Sequence, residues 1–119
     1  MKFIITENKK ERVTINWLNQ NYSNLNEFRL DAYLNNIFYM SDDGSLIFHY
    51  NVDTKDVVIS YEYIWDFLTT VFKFDYEDIN KITKKWVEDT YNLVVNDILT
   101  LHSPTHIEIR YKNRYESNN

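Results

Sequence analysis

FDYEDINKITKKWVEDTY, residues 74–91, carries the instructions that decide the fold. Asp75 stands where an N-cap should, its carboxylate able to accept a bond from the free amides of a first helical turn. Asp78 follows three residues on, as in a capping box with Asp in place of the usual Glu or Gln. Phe74 and Ile79 hold the flanking positions of a hydrophobic staple. Ile79, Ile82 and Trp86 recur at helical spacing and predict one buried face. Glu77–Lys81, Lys84–Glu88 and Lys85–Asp89 stand four apart, the spacing at which opposite charges support each other on a wet face. The stretch predicts an amphipathic helix and holds no chemistry.

Working outward from it, Lys73-Phe74 turns the chain in from a second predicted helix, Tyr61 to about Phe72, capped by Ser60 with Glu62 near its positive end. Ile64, Leu68 and Val71 form its ridge, widened by Trp65, Phe67 and Phe72. Further upstream, the aromatic-rich runs Ile37–Ser41 and Leu46–Asn51 flank Asp42-Asp43-Gly44-Ser45. Asp-Gly at a short connection signals a hairpin, because glycine tolerates positive φ. Val57–Ser60 follows the polar turn Asp53-Thr54-Lys55-Asp56 and completes a three-stranded antiparallel meander. Residues 23–36, with Leu25, Phe28, Leu30 and Tyr33, fit a loop with packed anchors, a short strand or an irregular helix. At the start of the chain Lys2–Thr6 (KFIIT) reads as a strand. Thr6 then caps a helix over Glu7–Asn21, with Val13, Trp17 and Leu18 as its apolar stripe and Lys9, Lys10, Glu11 and Arg12 on its wet side.

Beyond Tyr91, Leu93–Leu101 and His106–Lys112 read as strands joined by His102-Ser103-Pro104-Thr105. In the second, Ile107, Ile109 and Tyr111 alternate with Glu108, Arg110 and Lys112, the pattern of a half-buried antiparallel strand. Asn113–Asn119 reads as a frayed tail. The predicted fold class is α+β: one domain over residues 1–112 and a flexible tail over 113–119. Its antiparallel sheet has about four to six strands, packed against an N-terminal helix and a central helix pair.

Composition narrows the function. The 119 residues fit one domain, and 44% are hydrophobic, including seven Phe, ten Tyr and three Trp. That aromatic content is incompatible with disorder and gives a core of large rings. With no Cys, disulfides, iron–sulfur clusters and thiolate zinc sites drop out. A single Gly leaves no phosphate-cradling loop. No apolar run approaches the ~20 residues of a spanning helix. MKFIITENKKER turns charged too early for a signal peptide, so the expected setting is the cytoplasm, away from membranes. The net charge of −5 disfavours general affinity for nucleic acid or anionic lipid, local patches aside.

Candidate chemistry is thin. His102 and His106 are four apart but straddle Pro104, and His49 would have to approach from the meander, so no metal site is expected. The carboxylates Glu62 and Asp66, Asp42 and Asp43, and Asp75 and Asp78 fall in turns or first turns. Catalytic carboxylates need burial to raise one pKa. No serine stands in a Gly-x-Ser-x-Gly elbow; Ser41, Ser45, Ser60 and Ser103 fit turns and caps. No catalytic residue, metal ligand or cofactor is expected, and the chain reads as a non-enzyme. Nucleic-acid binding is the alternative: Arg110, Lys112 and Arg114 neutralise phosphate while Tyr111 and Tyr115 stack bases, and Phe38, Phe48 and Tyr50 offer a second stacking platform. Glu108 and Glu116 dilute that patch.

MKFIITEN at residues 1–8, Tyr63-Ile64-Trp65-Asp66 and Trp86-Val87-Glu88-Asp89 resemble segments of small uncharacterised proteins of tailed bacteriophages. Those proteins open on MKFIITE and carry a YxIWD-like piece and then a KxWxE-like one. The resemblance covers most of residues 1–91 and includes no catalytic motif. It implies a viral origin in an AT-rich genome, in keeping with fifteen Asn against one Ala, one Gly and one Pro, and says nothing about activity. The expectation is a small interaction module, phage-encoded, that binds a host or phage protein, with self-association through an edge strand also open.

Overall fold

The computed structural model describes residues 2–101 and 105–116. Chain order is α1 (Lys2–Tyr22), β1 (Asn26–Phe28), a 3-10 turn (Asp31–Tyr33), β2 (Asn36–Met40), β3 (Leu46–Asn51) and β4 (Asp56–Ser60). A π-helical turn (Tyr61–Trp65) then opens α2 (Asp66–Thr70), followed by α3 (Tyr76–Tyr91), β5 (Asp97–Leu101) and α4 (Thr105–Glu116). The protein is α+β, with a five-stranded sheet in the order β1-β2-β3-β4-β5. β1 to β4 pair antiparallel, as the meander predicts, and β5 joins β4 in parallel. A parallel neighbour requires a long crossover, and the two central helices supply it.

α3 forms as its sequence instructs. Asp78 N donates to Asp75 Oδ1 at 2.9 Å and Asp75 N to Asp78 Oδ2 at 3.4 Å, closing the capping box. Phe74, Ile79, Ile82 and Trp86 are buried together. Ser60 caps the π-turn by accepting from Tyr63 N at 3.2 Å. The wet-face charges behave differently from expectation. Among the described residues the ion pair is Lys85 with Glu11 on α1, at 3.1 Å, across helices rather than along α3.

Several expectations are corrected. Lys2–Thr6 is the first part of α1, so Thr6 lies within the helix. The β-branched run favours extension locally, but adding residues to an existing helix is far easier than starting a new element. Among the α1 residues whose side chains are described, Thr14 and Leu18 are fully buried, while Val13 is 46% exposed. Thr14 can be buried because its hydroxyl donates to Lys10 O at 2.8 Å. Val71 leaves the predicted ridge: α2 ends at Thr70, and Lys73 turns the chain at a φ of 59°. β5 is shorter than the predicted strand, because α3 closes on left-handed Asn92 and residues 92–96 form a loop.

His106–Lys112 belongs to α4, and the helix continues through Glu116. Ile107 and Tyr111 are buried and Ile109 is exposed, the pattern of a helix face at i and i+4. Strand and helix patterns agree at Ile107 and Tyr111 and differ at Ile109. The outer face of the sheet decides between them, because Phe28, Leu30, Phe38, Met40 and Leu46 need a cover. A β-bulge between Tyr39 and Met40 pairs them with Phe48 and Leu46. It turns Ile47 and Phe48 to the inner core and Leu46 to the outer one. Leu46 N then donates to Glu108 at 2.7 Å and ties α4 to the sheet. At the hairpin, Gly44 has φ 88°, and a Cβ there would meet Lys112 Cε at 2.9 Å.

The sheet therefore separates two cores. The inner one packs Tyr39, Phe48, Val57 and Ile59 against Leu18, Ile64, Leu68 and Trp86 of α1, the π-turn, α2 and α3. The outer one lies under α4.

Candidate functional site

The polar groups singled out in the sequence fall mainly into structural duties. Asp43 accepts from Ser41 Oγ and from Ser45 N at 3.1 Å, and these bonds, the Ser41 hydroxyl foremost, hold its carboxyl below the usual range. Asp75 and Asp78 cap α3. Asp66 is exposed and accepts from Thr70 Oγ1 at 3.4 Å; Glu62 is exposed in the first turn of the π-helix. His49 sits on the outer face beside Phe38, ring centroids 5.3 Å apart. Its Nδ1 has no hydrogen-bond partner, and burial pushes its pKa down to about 4. No group of three His, Cys, Asp or Glu poised to hold a metal ion occurs among the described residues. His102 and Pro104 lie outside the described residues.

A helix groups the candidate nucleic-acid residues differently from a strand, with Arg110 and Arg114 four apart on it and Tyr111 and Tyr115 likewise. Tyr111 is buried edge-on to Phe28, centroids 5.0 Å apart, so it offers no face to a base. Arg110 and Lys112 are exposed, but two residues on a helix stand about 200° apart. Arg114 and Tyr115 lie on the same helix, within Thr105–Glu116. Phe48 and Tyr50 face the inner core and Phe38 the outer one, all three buried.

What the structure does bring together is an aromatic seam between α1 and α2. Trp17 and Phe67 stack with ring planes 1° apart and centroids at 4.0 Å. Tyr22 and Phe72 close on Trp17 at 5.7 and 6.3 Å, and Lys10 Nζ lies 4.5 Å from the centre of the adjoining Phe74 ring. Trp17 and Phe67 are only partly buried. One helical turn from each stands an exposed aliphatic residue: Val13 before Trp17, and Val71, 56% exposed, after Phe67. Val13 and Trp17 stand on α1, Phe67 on α2 and Val71 just past its end. The helical spacing of Val13 and Trp17, and of Phe67 and Val71, is visible in the sequence; that the pairs meet is not.

A row of residues crosses the outer sheet face through all five strands: Phe28, Phe38, His49, Val58 and Leu99. α4 covers its Phe28 end, and Leu99 at the other end is 43% exposed. No described helix is long and apolar enough to cross a membrane. Comparison with known proteins finds no matching family, no matching curated protein and no matching solved structure.

Proposed function

We propose that the chain is a non-catalytic interaction module, phage-encoded, that binds a host or phage protein through the α1–α2 seam. The observation that carries this reading is the Trp17–Phe67 stack, partly open to solvent and flanked by exposed Val13 and Val71. Packing would be served by burying these aliphatic groups, yet the fold leaves them outside. Partly exposed Trp rings bordered by aliphatic groups are effective anchors for a protein partner, since they bury large area with few rotatable bonds. Exposed Glu62 and Asp66 lie on the helical segment that carries Phe67 and supply a polar rim.

A photo-crosslinking residue at Thr70, exposed beside Val71 and carried in the full chain in host cells, tests the reading. One dominant adduct is expected. It should disappear in the Val13→Glu/Val71→Glu variant while the unfolding free energy stays within about 0.5 kcal/mol of the parent, as for other surface changes. An adduct that survives the double substitution would exclude the seam as the binding face.

A further inference from the structure

β5 is an apolar edge strand, Asp97-Ile98-Leu99-Thr100-Leu101, with one charge and neither Lys nor Pro. Proteins commonly blunt such edges with those residues or by shortening the strand, and β1 at the other edge is only three residues long. On β5 something else occupies the edge. Ile98 N donates to Asp97 Oδ1 at 2.8 Å, and Ile98 O accepts from the Tyr76 hydroxyl at 3.2 Å. Side chains of the chain itself thus meet two of the backbone groups that a sixth strand would use. Beside them Leu99 is 43% exposed and Tyr76 is 52% exposed, with Trp65 6.0 Å from the Tyr76 ring.

We propose that this edge receives a second copy of the chain, two β5 strands pairing antiparallel about a twofold axis at Leu99. The surface is distinct from the α1–α2 seam, and the inference stands whether or not a foreign protein binds there. The strand is self-complementary in that register. Ile98 faces the partner's Thr100 and Thr100 the partner's Ile98, and each pair exchanges two backbone bonds. Leu99 meets the partner's Leu99, which buries the exposed end of the outer-face row. The Asp97 carboxylates fall at opposite ends of the paired segment, roughly 14 Å apart at the rise of an antiparallel strand. That exceeds the screening length of about 8 Å at physiological salt, so the one charge on β5 does not oppose pairing. In the separate chain Tyr76 and Asp97 hold the places that the partner's backbone takes in the dimer. Tyr76 is therefore a competitor of dimerisation.

Sedimentation equilibrium of the full chain over a wide concentration range tests this. The wild type should show a reversible monomer–dimer equilibrium, and Leu99→Lys should remain monomeric with an unchanged circular dichroism spectrum. Tyr76→Phe removes the competing hydroxyl and should tighten the dimer about two- to tenfold, the scale of one hydrogen bond. Amide exchange at Thr100 should slow as the wild-type concentration rises, a readout independent of either variant. A wild type that stays monomeric up to hundreds of micromolar overturns the proposal, as does a dimer indifferent to Leu99→Lys.

Discussion

At the scale of single residues, two buried side-chain atoms among the described residues lack partners: Thr83 Oγ1 and His49 Nδ1. Thr83 is fully buried on α3, so its hydroxyl is desolvated without compensation. Thr83→Val keeps the shape and removes that defect, and urea denaturation should show a gain of about 1 kcal/mol. His49 gives a pH dependence whose sign follows from its burial. The folded protein holds its pKa at about 4 against 6.5 for a free histidine. Between those values the unfolded chain binds a proton that the folded one does not, so stability falls as pH drops through that window and is fully present above it. The loss should reach at most about 3 kcal/mol, and His49→Leu should flatten the profile between pH 4 and 6.5.

At the scale of elements, α4 is tied to the sheet by the Glu108–Leu46 bond and by Ile107 and Tyr111 in the outer core. Glu108→Ala would leave the Leu46 amide without its acceptor. A cost of about 1–3 kcal/mol is expected, with faster amide exchange at Leu46 as the local signature. α4 also shows where the sequence could and could not be read. The bounds and buried face of α3 were legible because its cap, staple and apolar residues all lie within residues 74–91 and agree. The meander was legible because Gly44 and the polar turn at 53–56 punctuate it. α4 was not, because Ile107 and Tyr111 satisfy both a strand and a helix, and the choice rests on Phe28 and Phe38, far away in sequence. KFIIT misled in the same way: its local preference for extension yields to the helix it continues. Of the candidate site, the half-exposed apolar residues were present in the text of the sequence, but their meeting depends on how α1 lies against α2.

At the scale of the whole molecule, a single sheet divides two cores that depend on different helices. Ile107→Asp should dismantle only the outer one. The expected loss is about 3 kcal/mol. Far-UV circular dichroism should fall by the 12 residues of α4, while Trp86, on the inner side, keeps its native fluorescence. A change in Trp86 emission of the same size as on full unfolding would show that the two cores form a single cooperative unit. The placement of α4 after every strand also has a consequence during biosynthesis. The meander leaves the ribosome first, with Phe28, Phe38, Met40 and Leu46 bare on one side, and its cover is translated only after more than fifty further residues, counting from Asn51 to Thr105. For that interval the nascent chain is sticky, and a chaperone that shields apolar surface, or slow translation past β5, would decide how much of it reaches the native state.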